Sequence, residues 1–492
     1  MMKTPLFLKI AWLAGWLSGS LWAGQTALDE APVRLQKPPF RHVLVLSGGG
    51  LDAPIYLGVL DAAQRSGWLR SGRGRGDTDP RPDLIISTCG ASIASGLANQ
   101  IPDVEERKRF MLSPASRELL DQVQLHGTSL VALLWRVYEN PLGARIPQVF
   151  QQYLLDVPQT IGLEEGNRLL RSTGLRVMMG SGELEYGPEQ VGMRRHGRRV
   201  VREVYLTDPD TARLVSAIRF RTPIAQYPGS AVYANTALIT GLRTWTATRA
   251  SVADPIMVAP AEINGKYYTT GGVDLYPIEL AMKLGDEVAL TSPSKWTRVE
   301  TNVVRSVYGF DPRERNYDLM RKAREHRLPI RFVDTSDFEL FAAEHGFDPK
   351  CTFFHFVRRV PPDMETYRAK AALQFHWGAS RFEEALRQPV GSQAHLRREV
   401  EHPPALRIGS GKASGEWWAP ARQLGLIRER PDTEAPSKAG EIRNYIAWTQ
   451  SQTPERNSLR SKAARCPSPR RLPCTRMFGV SFPAAHPWGR GR

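Results

Sequence analysis

The stretch that most constrains the fold runs from His42 to Thr88. "HVLVLSGGG" reads as a short buried strand that breaks into three successive glycines. "PIYLGVLDAAQRSGWL" reads as the amphipathic helix that follows, with Pro54 suited to a first turn where its missing N–H costs nothing. A loop rich in Arg, Gly, Asp and Pro, "RSGRGRGDTDPRPD", leads to a second apolar run, "LIIST". Strand, turn, helix, loop and strand make a βαβ pattern, which implies a parallel sheet covered by helices.

The remaining chain extends this α/β reading. Residues 102–170 look largely helical, with "VEERKRFML" and "SLVALLWRVYEN" as the clearest pieces, and are expected to cap the sheet edge. "LRVMMGSGEL" and "RRVVREVYLT" read as strands, and the basic turn between them, "RRHGRR", as a solvated hairpin tip. "NYDLMRKAREHRLPIRFV" and "CTFFHFVRRV" suggest a helix and two strands, and "TYRAKAALQFHWGASRFEEALRQ" a closing helix. Past about residue 390 the signal fades into Pro, Arg and Ser, and there is no internal repeat.

Charge narrows the partners. The net formal charge of +16 raises nucleic acid and anionic membrane as candidates. Nine of those sixteen excess charges lie between Arg456 and Arg492, where there is no Asp or Glu. Basicity is therefore concentrated in a tail expected to be disordered, which leaves nucleic acid an unlikely partner and peripheral contact with anionic lipid the better one. At the other end, "MMKTPLFLKIAWLAGWLSGSLWAGQ" reads as a signal peptide over residues 1–23, with an uncleaved membrane anchor as the alternative. The expected location is secreted or periplasmic. Cys89, Cys351, Cys466 and Cys474 have no metal spacing. Cys466 and Cys474 are candidates to pair, and Cys89 is expected to pack as a small hydrophobe beneath a turn.

That turn carries the chemistry. A nucleophile elbow needs a strand that stops abruptly, a serine in a strained turn, small neighbours, and a helix whose amino end faces the reacting oxygen. "LIISTCGASIASGLANQ" offers each part, with Ser92 as the nucleophile, Gly90 two residues before it, and Ala94 where the second glycine of G-x-S-x-G would stand. Gly48, Gly49 and Gly50 can bring backbone N–H groups together without a Cβ in the way, as an oxyanion hole requires. A phosphate cradle is the competing reading of the glycines, but the lysine and hydroxyl of a P-loop are missing. "GSGKAS" fails as well, with Leu406 and Ala413 at the defining positions.

A third stretch, "ATRASVADPIMVAPAEINGKYYTTGGVDLYPIELAMKLGDEVAL", follows the glycine run and the serine turn in the order found in patatin-like phospholipases. The resemblance covers roughly residues 41–300, with residues 301–390 as a helix/strand extension of the same domain and 391–492 as the tail. It implies a three-layer α/β/α fold with a mainly parallel central sheet and a helical cap. It also implies a Ser-Asp dyad that hydrolyses lipid or phospholipid acyl esters through an acyl-enzyme, with no cofactor and no metal.

Two positions depart from the family. Thr270 stands where the dyad aspartate of D-G-G is expected, and a hydroxyl cannot accept the nucleophile's proton near neutral pH. Asp52 stands in place of the arginine of G-G-G-x-R-G. A carboxylate about 6 Å from a developing oxyanion costs on the order of 3 kcal/mol at an effective dielectric of 20, nearly a hundredfold in rate. Three readings follow: Asp274 swings in as the base, Asp52 is the relocated base, or the dyad is broken. The expectation is a patatin-like serine acyl hydrolase acting through Ser92; the alternative is a pseudoenzyme that binds lipid or a protein partner without turnover.

Overall fold

The computed structural model describes residues 37–48, 52–70, 80–126, 139–140, 142–151, 153–255, 257–292, 298–325, 328–336, 338–346, 361 and 363–391. The expected signal peptide, Gly49 and Gly50, the strand expected at 351–360 and the basic tail lie outside the described residues.

The βαβ reading holds. β1 (Phe40–Leu46) and β2 (Leu84–Thr88) pair in parallel, with Val43 beside Leu84 and Leu46 beside Ser87. A small ribbon of β3 (Gln124–Leu125) and β4 (Leu155–Asp156) forms a separate sheet. The main sheet adds β5 (Arg176–Leu184), β6 (Val201–Thr207), β7 (Ala237–Ile239), β8 (Ala261–Ile263), β9 (Lys266–Thr270), β10 (Gly285–Ser292) and β11 (Ile330–Asp334). Its order is β11-β10-β1-β2-β5-β6-β7, parallel from β11 to β5 and antiparallel between β5 and β6. β5 outruns β2. Up to Gly180 it pairs with β2, and from Ser181 to Leu184 it pairs with antiparallel β9. The switch of partner brings the end of β9 beside the end of β2.

Both faces of the sheet are covered, which is why its strands read as nearly continuous apolar runs. On one face Leu44, Leu46, Ile85, Val177 and Met179 pack with α1 (Ala53–Arg65) and α2 (Ala91–Gln100). On the other, Val43, Val45, Leu84, Ile86 and Met178 pack with residues that include Ile278 and Met282. The molecule is thus a mixed α/β structure with a mainly parallel central sheet between helical layers.

Of the expected helical cap, two short helices lie among the described residues. α3 (Val104–Met111) and α4 (Pro114–Asp121) are separate short helices, because Asp103 and Ser113 each cap a fresh amino end: their side chains accept from Glu106 N at 2.7 Å and Ser116 N at 3.3 Å. They are fastened to the side of the molecule through Tyr367, whose hydroxyl donates to the Met111 carbonyl at 3.1 Å and bonds Ser116 Oγ at 2.9 Å. Beyond them the described chain up to Leu170 is mostly loop, with the β3–β4 ribbon and one short helical turn. Residues 127–138, which hold most of "SLVALLWRVYEN", lie outside the described residues.

Further along the chain come α5 (Thr244–Ser251), α6 (Ile278–Leu284), α7 (Arg298–Tyr308), α8 (Pro312–Glu325) and the closing helix α9 (Met364–Arg387). α9 crosses α1 at a point where two glycines meet each other's backbone: a Cβ on Gly58 would run into the Phe375 carbonyl, and one on Gly378 into the Ile55 carbonyl. Neither obstacle is a flexible side chain, so the helices would have to separate. Gly378→Ala is expected to cost about 1–3 kcal/mol of stability despite its better helix propensity, a loss read as a lower denaturation midpoint. A rise in the midpoint would show that the crossing is looser than this.

Candidate active site

The side chain at the elbow is Cys89. β2 ends at Thr88, Gly90 caps α2, and Cys89 between them has φ 53° and is half-buried. A left-handed backbone costs a non-glycine residue roughly 1–2 kcal/mol, and such strain gathers at functional turns. The other two non-glycine residues with positive φ among the described ones, His196 and Asn264, are not strand-to-helix corners. Among the described residues, Cys89 alone has the geometry that thrusts a nucleophile up from a sheet. In that register Ser87 and Ala91 take the places of the two glycines of G-x-S-x-G. Cys89 therefore does not lie beneath the turn as expected; it is the turn.

Ser92 is not at the elbow. It lies in the first turn of α2 with no exposed surface, its Oγ 2.7 Å from Ser251 Oγ and 3.1 Å from Ser87 Oγ. Ser251 donates onward to the Gly180 carbonyl at 2.6 Å, and Ser87 also meets Ser95 at 2.6 Å. This buried hydroxyl chain ties α2 to α5 and β5. An attacking hydroxyl must reach a substrate, and this one is enclosed. Its removal in Ser92→Ala is expected to cost about 1–3 kcal/mol of stability through the partners it strands.

The glycine run does reach the elbow. Gly48, at φ 67°, donates its N–H to the Thr88 carbonyl at 3.2 Å, and its own carbonyl accepts from Ala91 N at 3.0 Å. The exit of β1 is thereby strapped across the turn. Its amide is already used, so Gly48 positions the loop and does not serve as an oxyanion donor; Gly49 and Gly50 lie outside the described residues. The Gly90 N–H, one residue past Cys89 at the head of α2, has no acceptor among the described residues. An amide so placed suits an oxyanion.

The threonine turn arrives from the other side. An added Cβ on Gly271 would lie 2.6 Å from the Gly180 carbonyl and 3.0 Å from Thr88 Cβ, so only glycine lets this turn press against the residue before Cys89. Thr270 itself donates to the Ser251 carbonyl at 2.8 Å and accepts from Gly272 N at 3.3 Å. The described parts of the three segments singled out in the sequence meet at the strand-to-helix corner, and Thr270 leaves no carboxylate at the position of the dyad base.

Neither proposed replacement base is available. Asp274 is buried and gripped by Arg315, Oδ2 to Nη2 at 2.9 Å, while Arg315 also holds Glu279 at 2.6 and 2.7 Å. Pulling Asp274 away would cost about 3–5 kcal/mol by exposing a buried charge to no partner. Asp52 is also buried, and its carboxylate accepts from Gln374 Nε2 at 2.7 Å, committing it to α9.

The Arg315 cluster has its own pH signature. Burial, reinforced by the charge of Asp274, pushes buried Glu203 up to about 7. A carboxyl raised in the fold holds its proton there, so stability is greatest below the unfolded value near 4.5 and falls as pH rises toward about 7. Glu203→Gln should flatten that slope and make the protein the more stable of the pair at pH 8, by urea titration at several pH values. An unchanged slope would place the titration elsewhere.

Sequence reasoning overlooked Asp254. The segment Ser251–Asp254 starts beneath the elbow, where Ser251 meets Ser92, and passes the threonine turn, where the Ala253 carbonyl accepts from Thr270 N and Thr269 Oγ1, both at 2.9 Å. Asp254 is the next residue and is only partly buried. Tyr308 stands close by, its hydroxyl 3.5 Å from Thr269 Oγ1. Burial keeps that hydroxyl protonated, and the negative charges of Asp254 and of ionised Cys89 push in the same direction. The signal was visible as an acid inside the otherwise apolar run "ASVADPIMVAP".

A parallel-sheet α/β/α molecule whose elbow, glycine loop and glycine-rich turn converge in this way has the layout of an acyl-ester hydrolase. The patatin-like phospholipase family model matches residues 44–282, and the chain carries a patatin-like phospholipase domain, of a family of lipid acyl hydrolases. Among solved structures, VipD from Legionella pneumophila is similar over 72% of this chain and 69% of that chain, at 11% identity and a TM-score of 0.27. No curated protein matches.

Proposed function

We propose that this domain cleaves lipid acyl esters through the Cys89 thiol in place of a serine. The observation that carries the reading is the left-handed backbone of Cys89 at the strand-to-helix corner. A thiol suits a site without a dyad aspartate, since it is ionised to about a few per cent at neutral pH without help and is strongly nucleophilic when ionised.

In the first step the Cys89 sulfur adds to the ester carbonyl, the oxyanion turns to the Gly90 N–H, and the C–O bond breaks. The alcohol leaves with the proton the thiol gave up, and the acyl group remains as a thioester. In the second step water attacks the thioester carbonyl, Asp254 takes a proton from it and passes that proton to the departing sulfur as the C–S bond breaks, and the thiol and a carboxylic acid are released. Turnover of an aryl acyl ester should stop after alkylation with iodoacetamide, and substrate present in excess should slow the alkylation. Turnover that survives full alkylation of Cys89 ends the reading.

Thr270 favours a second reading, an acyl-binding protein without turnover. It predicts saturable binding of a fluorescent fatty acyl ester, equal in the native chain and in Cys89→Ala, with no product formed.

A further inference from the structure

β5 pairs with β2 only as far as Gly180, opposite Thr88, and then runs on to Leu184. The hairpin joining β5 to β6 therefore projects past the end of the sheet that holds Cys89, on the same rim as the site. Its tip is doubled by a second segment: Ile146 N donates to the Met193 carbonyl, Gly192 N to the Ile146 carbonyl and Arg195 N to the Ala144 carbonyl, each at 2.9 Å. Beneath the tip, buried Arg195 clamps the ribbon through the Gly143 carbonyl and, at 2.8 Å, the Gly229 carbonyl. The ribbon is held rigid from below.

Its outer surface combines two features rarely left side by side in water. Leu142 is 67% exposed and Met193 55%, two of the five large hydrophobic side chains that are exposed among the described residues. Arg145, Arg194, His196 and Arg198 are exposed around them, and neither 142–146 nor 192–199 contains an acid. Solvation alone accounts for the arginines but not for the apolar pair, and a nucleic acid or polyphosphate partner would leave Leu142 and Met193 unused.

We propose that this ribbon docks the domain on an anionic lipid surface, setting the Cys89 rim against the bilayer. Arginines near such a surface are drawn to its negative potential, and apolar side chains inserted at the headgroup level leave water. Three arginines and two apolar residues together give reversible attachment, and neither set does so alone. Attachment here is separate from the Arg456–Arg492 tail and does not depend on catalysis at Cys89.

The test uses the full chain, so that any contribution of the tail is constant. Co-sedimentation with phosphatidylglycerol/phosphatidylcholine vesicles should weaken at least tenfold in Leu142→Ser/Met193→Ser and at least tenfold in Arg194→Gln/Arg198→Gln. Pure phosphatidylcholine should bind poorly in every case. The substituted residues are exposed, so thermal midpoints should match the native chain and confirm folding. Native-like vesicle binding in both variants overturns the proposal. So does a pattern in which only the arginine variant loses binding, matched by an equal loss of binding to polyphosphate, since that marks a general polyanion site.

Discussion

Cys89→Ala is expected to lower ester turnover by about 10³-fold or more with the fold intact, because the change removes the reacting sulfur and little packing from a half-buried corner. Cys89→Ser should be nearly as damaging. A hydroxyl at the elbow needs a base in contact, and Thr270 spends its own hydroxyl on the Ser251 carbonyl. Absence of that base is worth about 10²–10⁴ in rate. The double variant Cys89→Ser/Thr270→Asp should then regain activity over Cys89→Ser, since it rebuilds a serine and carboxylate where Gly271 holds the turn against Thr88. Steady-state kinetics on one aryl ester series decide the matter. Full activity in Cys89→Ala would place the nucleophile elsewhere.

The second large effect concerns Asp254. Asp254→Asn keeps the shape of the loop and removes the carboxylate that directly follows the Ala253 contact with the threonine turn. Acyl-enzyme formation should proceed as a burst, since the thiol ionises unaided, while the slow phase falls by about 10²-fold because no base activates water. Rapid-mixing kinetics separate the two phases. A slow phase equal to that of the native chain would remove Asp254 from the mechanism.

Much of this could be read from residue order, for identifiable reasons. β1, α1 and β2 were legible because a sheet buried on both faces needs unbroken apolar strands. The meeting of Gly48, the elbow and the Thr270 turn followed from three segments in family order. The elbow was misplaced on Ser92 because the G-x-S-x-G template was anchored on Gly90. Ser87 and Ala91 are small enough to fill the glycine positions, and the φ of 53° that marks Cys89 is a property of the backbone that no residue name announces. Asp274 looked free because it lies close to Thr270 in the chain, whereas Arg315, which holds it, lies 41 residues further on. Asp52 is claimed from 322 residues away, by Gln374.

The basic turn at 194–199 shows the same limit. Its charge was plain, but the exposed Leu142 that flanks it comes from a segment that reaches the hairpin only in the folded chain. Charge alone read as a solvated tip; charge beside exposed apolar surface reads as a docking face.

The most direct measurement is to locate the acyl group. The protein is mixed with an aryl acyl ester, quenched in acid within the burst, digested and mapped by mass spectrometry, with half of the sample first treated with neutral hydroxylamine. The expected result is an acyl adduct on the peptide containing Cys89, removed by hydroxylamine as a thioester is. An adduct on Ser92 that resists hydroxylamine, or a chain that turns over ester with Cys89 never acylated, would contradict it.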